Sequence, residues 1–255
     1  MASSLKETAF FAIRERLLSG TLPAGGKLSE LAISRELGIS RTPVREAINQ
    51  LASEGLVEHR PNAGAFVKKP SRADLEDVYE VREWLETTAV VAATKRITSE
   101  KLNELQEICT ESRRLAHEVR DSGLRYADES TLQRRAMAES MFHITLMRAS
   151  GNRRAVKILG DNHIISQIWG HIPDRDDVRM LARIYREHSR ILKHIRRGDA
   201  ELARRCMLEH IRRGRDSVLA AFDWHQRQLS MGGKTAETWP EPLIRKVRQV
   251  EQGED

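Results

Sequence analysis

A glycine-broken pair of short helical patterns, followed by a turn between two strand patterns, constrains the N-terminal part of this chain more tightly than any other feature. Leu28–Leu37 has helical spacing and Gly38 breaks it. Ser40 can then cap a further helix to about Ser53, with Pro43 in the first turn, where a missing N–H costs nothing. Gly55 ends that helix, and residues 56–60 and 65–68 read as two short strands joined by Pro61-Asn62-Ala63-Gly64, which has turn chemistry. The pattern puts a small residue, Ser34, where the two helices cross, and sends Ile39, Val44, Ile48 and Leu51 into a core. Helix, tight turn, helix and hairpin, in that order, are the parts of a winged helix-turn-helix.

The rest of the chain is helical in period. An earlier helix spans 5–19, with Leu5, Ala9, Ile13 and Leu17 on one face, and Gly20 and Pro23 end it. Lys68-Lys69-Pro70 interrupts the pattern, and Ser71 with Asp74 makes a capping box for a new helix. Helical segments then follow at 71–96, 99–121, 130–150, 153–171, 175–197 and 199–222, with stops at Gly151-Asn152, Ile172-Pro173 and Gly198. After Trp224 the chain turns polar, with Gly232-Gly233 and two prolines. The expected architecture is mainly α. A winged helix-turn-helix domain covers 1–70, an all-helical bundle of six to seven helices covers 71–224, and a polar tail covers 225–255. A charged fraction of 31% beside 5% aromatic fits a helix-rich globular chain and argues against a disordered or collagen-like one.

Purely apolar runs reach only five residues, as at Ala89–Ala93, far short of the roughly 20 needed to span a bilayer. The N-terminus lacks the apolar stretch of an export signal, so the expected location is the cytoplasm. Two cysteines, Cys109 and Cys206, suit a reducing compartment and read as small core residues. The formal net charge is +6, and residues 175–215 hold thirteen Lys and Arg against six acidic residues. An Arg-rich helical face of this kind is by default a solvated one and does not by itself imply nucleic acid.

The helix after the Gly38 turn keeps a polar face of Arg41, Thr42, Arg45 and Asn49. Arginines at the start of a recognition helix can take guanine O6 and N7 bidentately or clamp phosphates, and the hydroxyls of Ser40 and Thr42 can bind backbone oxygens. Leu28-Ser29-Glu30, residues 37–48 (Leu-Gly-Ile-Ser-Arg-Thr-Pro-Val-Arg-Glu-Ala-Ile), Leu51–Val57 and Pro61–Gly64 closely resemble the DNA-binding domain of GntR-family bacterial regulators, over roughly residues 5–69. The resemblance implies that Ser40, Arg41, Thr42 and Arg45 contact an operator, that the wing around Gly64 reaches the minor groove or backbone, and that Arg35 touches a phosphate. Ser34 stands where that family usually has Ala, a small-for-small change.

A second constellation lies in the helical part. Glu139 and His143 are one turn apart on one helix. His188 occupies a core-facing slot in a stripe of Val178, Leu181, Ile184, Ile191 and Ile195, and His210 does likewise after Ala203 and Cys206. Three inward imidazoles and a carboxylate can converge in a bundle core and hold a divalent metal, although an inward His is more often a satisfied core residue. Glu139–His143 followed by Ala149–Asn152, then Glu187-His188 and His210, with Val81–Glu86 opening the domain, resemble the all-helical FCD ligand-binding domain of the FadR subfamily, over about 74–222. In its metal-binding members an Asp and three His hold the ion, often zinc, and leave positions open to an effector. Glu139 departs from that Asp by one methylene. The resemblance makes Arg82 a candidate anion clamp for the effector, against a structural ion pair with Glu86 one turn on.

The expected function is a ligand-responsive, sequence-specific DNA-binding transcription regulator and repressor, not an enzyme. It would bind an inverted-repeat operator as a homodimer and respond to a small organic acid at a zinc-type metal site. The alternatives are a metal-free pocket for an acyl ligand with the same DNA role, and a metalloenzyme with an appended DNA-binding module.

Overall fold

The computed structural model describes residues 4–18, 21–160 and 177–230. Gly20, His163, His171, the Ile172-Pro173 stop, the later part of the 153–171 segment, the start of the 175–197 segment and the tail from 231 lie outside them. The described chain is mainly α with one small sheet, and it divides into two compact units between Ser71 and Arg72.

In the first unit α1 (Leu5–Leu18) packs on α3 (Arg41–Ser53), and α2 (Glu30–Leu37) packs on α3 as well. Ile13, Ile33, Val44, Ala47, Ile48 and Leu51 are buried between them, the apolar set that helical period places on facing sides. Gly38 ends α2 in the left-handed region, φ 67°, where an L side chain would be strained, and its N–H bonds back to Arg35 O. Ser34 is buried at the crossing and its hydroxyl donates to Leu31 O. Strands β2 (Val57–Arg60) and β3 (Gly64–Val67) form the hairpin, with Val57 opposite Val67 and Arg60 opposite Gly64.

Two local expectations are corrected. The second helix begins at Glu30 rather than at Leu28, because Lys27–Leu28 forms a strand, β1, that pairs antiparallel with β3 and gives the sheet the order β1-β3-β2. Ser29 caps this helix, its side chain accepting from Ala32 N. Ser40 stands at the cap position of α3, yet its hydroxyl makes no capping bond. The N–H it would accept at the third helical position is missing, since Pro43 sits there.

The second unit is all-helical: α4 (Arg72–Arg96), α5 (Ser99–Ser122), α6 (Glu129–Ser150), α7 (described over 153–160), α8 (Val178–Arg196) and α9 (Ala200–Ser230). Thr98, Asp128 and Asp177 cap α5, α6 and α8 by accepting the backbone N–H three residues on. Helix α4 packs on α9 and α6, α5 on α8 and α6, and α8 on α9. Their shared core holds Tyr79, Val90, Leu105, Cys109, Phe142, Leu146, Ile191, Cys206, Met207 and Ile211. Helix α9 runs on to Ser230, past the expected end at Phe222, because no helix breaker intervenes before Gly232.

Candidate nucleic-acid interface and metal centre

Helix α3 buries Val44, Ala47, Ile48 and Leu51 and therefore turns Arg41, Thr42, Arg45 and Asn49 to solvent, with Ser40 exposed just ahead of them. A single carboxylate gathers the two arginines. Glu30, at the start of α2, accepts from Arg41 at 3.1 Å and bidentately from Arg45 at 3.1 and 3.0 Å. The guanidinium groups hold the Glu30 carboxyl below its ordinary range, although burial pulls the other way. Asn49 Oδ1 lies 3.1 Å from His59 Nε2 on β2, so the end of α3 is tied to the wing. Arg35 is exposed on α2, without an ion-pair partner among the described residues.

The wing turn is built for close approach. Asn62 (φ 59°) and Gly64 (φ 103°) both take positive φ, and Gly64 is exposed at the first position of β3. Phe66 carries the guanidinium of Arg60 4.2 Å from its ring centroid, with Lys27 Nζ at 5.8 Å. Lys27, His59 and Arg60 were not singled out by sequence reasoning. Their signal, cations flanking an aromatic, became readable only once β1 joined the sheet.

In the helical unit, four side chains from three helices meet. Glu139 and His143 come from α6, His188 from α8 and His210 from α9, and one ligand atom from each lies within 4.8 Å of all the others. His143 Nε2 and His188 Nε2 are 3.1 and 3.3 Å from His210 Nε2. Glu139 Oε1 is 3.2 Å from His143 Nε2 and 3.4 Å from His210 Nε2, and its Oε2 is 3.4 Å from His188 Nε2. Four donors about 2.0–2.1 Å from a tetrahedral zinc ion would stand roughly 3.3–3.4 Å apart, so the spacing fits that donor set. Glu139 Oε2 is moreover buried without a hydrogen-bond partner, as is His188 Nδ1.

The carboxylate and the imidazoles shift one another's ionisation. Burial opposes ionisation of Glu139, yet His210, His143 and His188 together hold its carboxyl well below the usual range. Burial likewise opposes charge on His210, but Glu139 and Glu187 outweigh it and push its imidazole up to about 9. Burial prevails at His188, whose imidazole falls well below its ordinary value.

Residues 5–67 match the bacterial regulatory proteins of the gntR family, and residues 77–213 match the FCD domain. This chain belongs to the GntR family and carries an FCD domain. The GntR regulator is 28% identical over 197 residues to a probable D-xylose utilization operon transcriptional repressor of Paenarthrobacter nicotinovorans, covering 76% of this chain and 80% of that one. It is 30% identical over 164 residues to the gluconate operon transcriptional repressor of Bacillus subtilis, covering 64% and 58%. Among solved structures its fold is similar to that of E. coli McbR/YncC, with a TM-score of 0.71 at 19% identity over 87% of this chain and 100% of that one. Family and relatives are transcriptional regulators, so the metalloenzyme alternative is set aside.

In this GntR regulator Arg82 is buried, its Nε donates to Glu86 Oε1 at 2.7 Å, and its guanidinium lies 5.0 Å from the Tyr79 ring centroid. The ion pair with Glu86 is therefore formed. Two carboxylates that sequence reasoning did not connect with the imidazoles flank them. Glu86 Oε2 meets His143 Nδ1, and Glu187 Oε2 meets His210 Nδ1 at 2.9 Å. Glu86 betrays itself as an acidic residue in the apolar stripe of α4, between Leu75, Val78 and Ala89, Val90. The Arg-rich stretch forms ion pairs, among them Arg190 with Glu209, Arg204 with Glu201 and Arg212 with Glu83. No helix among the described residues is long and apolar enough to cross a membrane.

Proposed function

We propose that this transcription regulator is a homodimeric, cytoplasmic repressor of an inverted-repeat operator, controlled by a small organic acid bound at a divalent metal, zinc by its donor set. The observation that carries the metal and effector part is the convergence of Glu139, His143, His188 and His210 on one point, with Glu139 Oε2 buried there without a hydrogen bond. The added methylene of Glu139 is accommodated, since its two oxygens stand 3.2 to 3.4 Å from the three imidazoles. A bound ion would supply a fixed positive charge with coordination positions open to a carboxylate. Arg82 lies next to this cluster through Glu86 and uses only Nε for that contact, which leaves its terminal nitrogens to clamp the effector's anionic group.

On the DNA side, Ser40, Arg41, Thr42, Arg45 and Asn49 present one exposed face for the major groove, and Gly64 places the wing against the backbone or minor groove. Arg35 is a phosphate contact. DNA phosphates and guanine edges compete with Glu30 for Arg41 and Arg45. The relatives named as repressors of D-xylose utilization and gluconate operons support repression as the sign of control.

A thermal-shift screen of the full chain against small mono-, di- and tricarboxylates and sugar acids, with and without a chelator, tests the reading. An ion present at a hundred times its Kd stabilises by about 2.7 kcal/mol. Chelation should therefore lower the melting temperature by roughly 5–10 °C for a unit of this size. Stabilisation by one acid should disappear with the metal. Stabilisation by an acyl compound that is indifferent to chelator would overturn the metal part and leave the DNA part standing.

A further inference from the structure

The outer nitrogens of two of the four candidate ligands are not left to solvent. His143 Nδ1 faces Glu86 Oε2, while Glu86 Oε1 accepts from Arg82 Nε at 2.7 Å. His210 Nδ1 faces Glu187 Oε2 at 2.9 Å, while Glu187 Oε1 accepts from Arg213 at 2.9 Å. The same three-residue chain, Arg to Glu to His, is thus built twice from different helices: α4 to α6, and α9 to α8 and back to α9. In each, both carboxylate oxygens are committed, one to a guanidinium and one to an imidazole. His188 has no such partner. Its Nδ1 is buried without one, and its ring lies flat on Phe142, with centroids 3.8 Å apart and planes 5° from parallel.

A carboxylate that can only accept requires N–H at the facing Nδ1, which leaves Nε2 of each ring as the atom a metal ion would take. The outer carboxylates therefore turn the Nε2 atoms of His143 and His210 inward, 3.1 Å apart and beside Glu139 Oε1, where a metal ion would take the place of a shared proton. Each guanidinium in turn stops its carboxylate from turning away. We infer that Glu86 and Glu187 are positioning residues of the metal centre, each setting the tautomer and ring orientation of one histidine, whereas His188 is oriented by Phe142 and is the adaptable ligand. The inference rests on the reading that this cluster holds a divalent ion.

The test is a competition titration of Zn2+ between the full-length protein and a chromogenic chelator, run on the parent, His143→Ala, Glu86→Gln, Glu187→Gln and the control Glu83→Gln. Glu83 pairs with Arg212 and Arg215 at 3.2 and 3.5 Å and touches none of the four ligands, so its variant should match the parent. Each of the other two Glu→Gln changes should weaken Zn2+ binding about 10- to 100-fold, the usual effect of losing an outer-shell partner. Glu187→Asp should recover part of the loss. A long-range proton–nitrogen NMR spectrum gives a readout that a merely structural role would not move. In the Zn2+-loaded parent the His210 Nδ1–H, bonded to Glu187, should be protected from exchange with water, and Glu187→Gln should lose that protection. Because Glu86→Gln leaves a buried Arg82 unpaired and can fail to fold, Glu187→Gln, whose Arg213 partner is half exposed, carries the test alone if need be. If His143→Ala loses Zn2+ while Glu187→Gln binds within twofold of Glu83→Gln and keeps a protected Nδ1–H, the inference is overturned and the metal site stands. Binding that His143→Ala does not alter would overturn the metal site and this inference with it.

Discussion

Two serines at corresponding helix starts do different work. Ser29 caps α2 through its hydroxyl, whereas Ser40, followed three residues later by Pro43, makes no such bond. Ser29→Ala should therefore cost about 1 kcal/mol in denaturant unfolding, the usual loss of a cap. Ser40→Ala should stay within about 0.5 kcal/mol of the parent in the same experiment, yet weaken operator binding in a mobility-shift titration. Equal destabilisation by the two changes would show that Ser40 is a cap after all. The same logic of satisfied and unsatisfied groups applies at Glu139, where one buried oxygen lacks a hydrogen bond. Glu139→Gln should abolish the chelator-dependent part of the melting temperature, because the amide neither ligates as strongly nor carries the charge that the three imidazoles face.

At the scale of elements, helix α3 carries one face into the core and the other outward, so its two jobs separate cleanly. Arg45→Ala should cost about 1–3 kcal/mol of operator affinity and, if Arg45 reads a base, should relax the preference at one position of the site. Arg35→Ala should instead weaken all sequences alike and lower the salt slope of binding by about one unit. In the bundle, α5 and α6 are joined by a polar tie: fully buried Thr145 donates to Glu104 at 2.7 Å. Burial opposes ionisation of Glu104, but the bonds from Lys101 and Thr145 outweigh it and hold its carboxyl below the ordinary value of 4.5. The stability this group contributes is present above pH 4.5 and is lost as pH falls through its lowered folded value. Thr145→Val should cost about 1–2 kcal/mol at neutral pH, with the gap to the parent narrowing in acid, as urea unfolding at a series of pH values would show.

For the whole molecule, the division between Ser71 and Arg72 gives the DNA face and the ligand cluster separate cores. Arg45→Ala should thus leave the melting shift caused by chelator unchanged, since the mutated side chain and the cluster belong to different units. If the effector lowers operator affinity by some factor, linkage requires operator DNA to lower effector affinity by the same factor, which calorimetric titration with and without operator can measure. An effector without differential affinity for the free and DNA-bound states would change nothing.

Local rules were enough for much of this protein. Apolar period, glycine at a left-handed turn and proline in a first turn depend on neighbours a few residues away, so the helices, the hairpin and the exposed face of α3 could be read from residues alone. The inward direction of His188 and His210 was legible in the same way, because each stands in an apolar helical stripe, and His143 was singled out by its one-turn spacing from Glu139. Strand β1 was not legible: two residues have no period, and Lys27–Leu28 is a strand only because β3 lies beside it. Nor were the roles of Glu30, His59, Glu86 and Glu187. These partners lie 10 to 57 positions away in the chain, and only packing brings them within hydrogen-bond reach. A helix's own sequence determines which side faces inward, whereas the depth and rotation at which helices pack decide which inward groups meet.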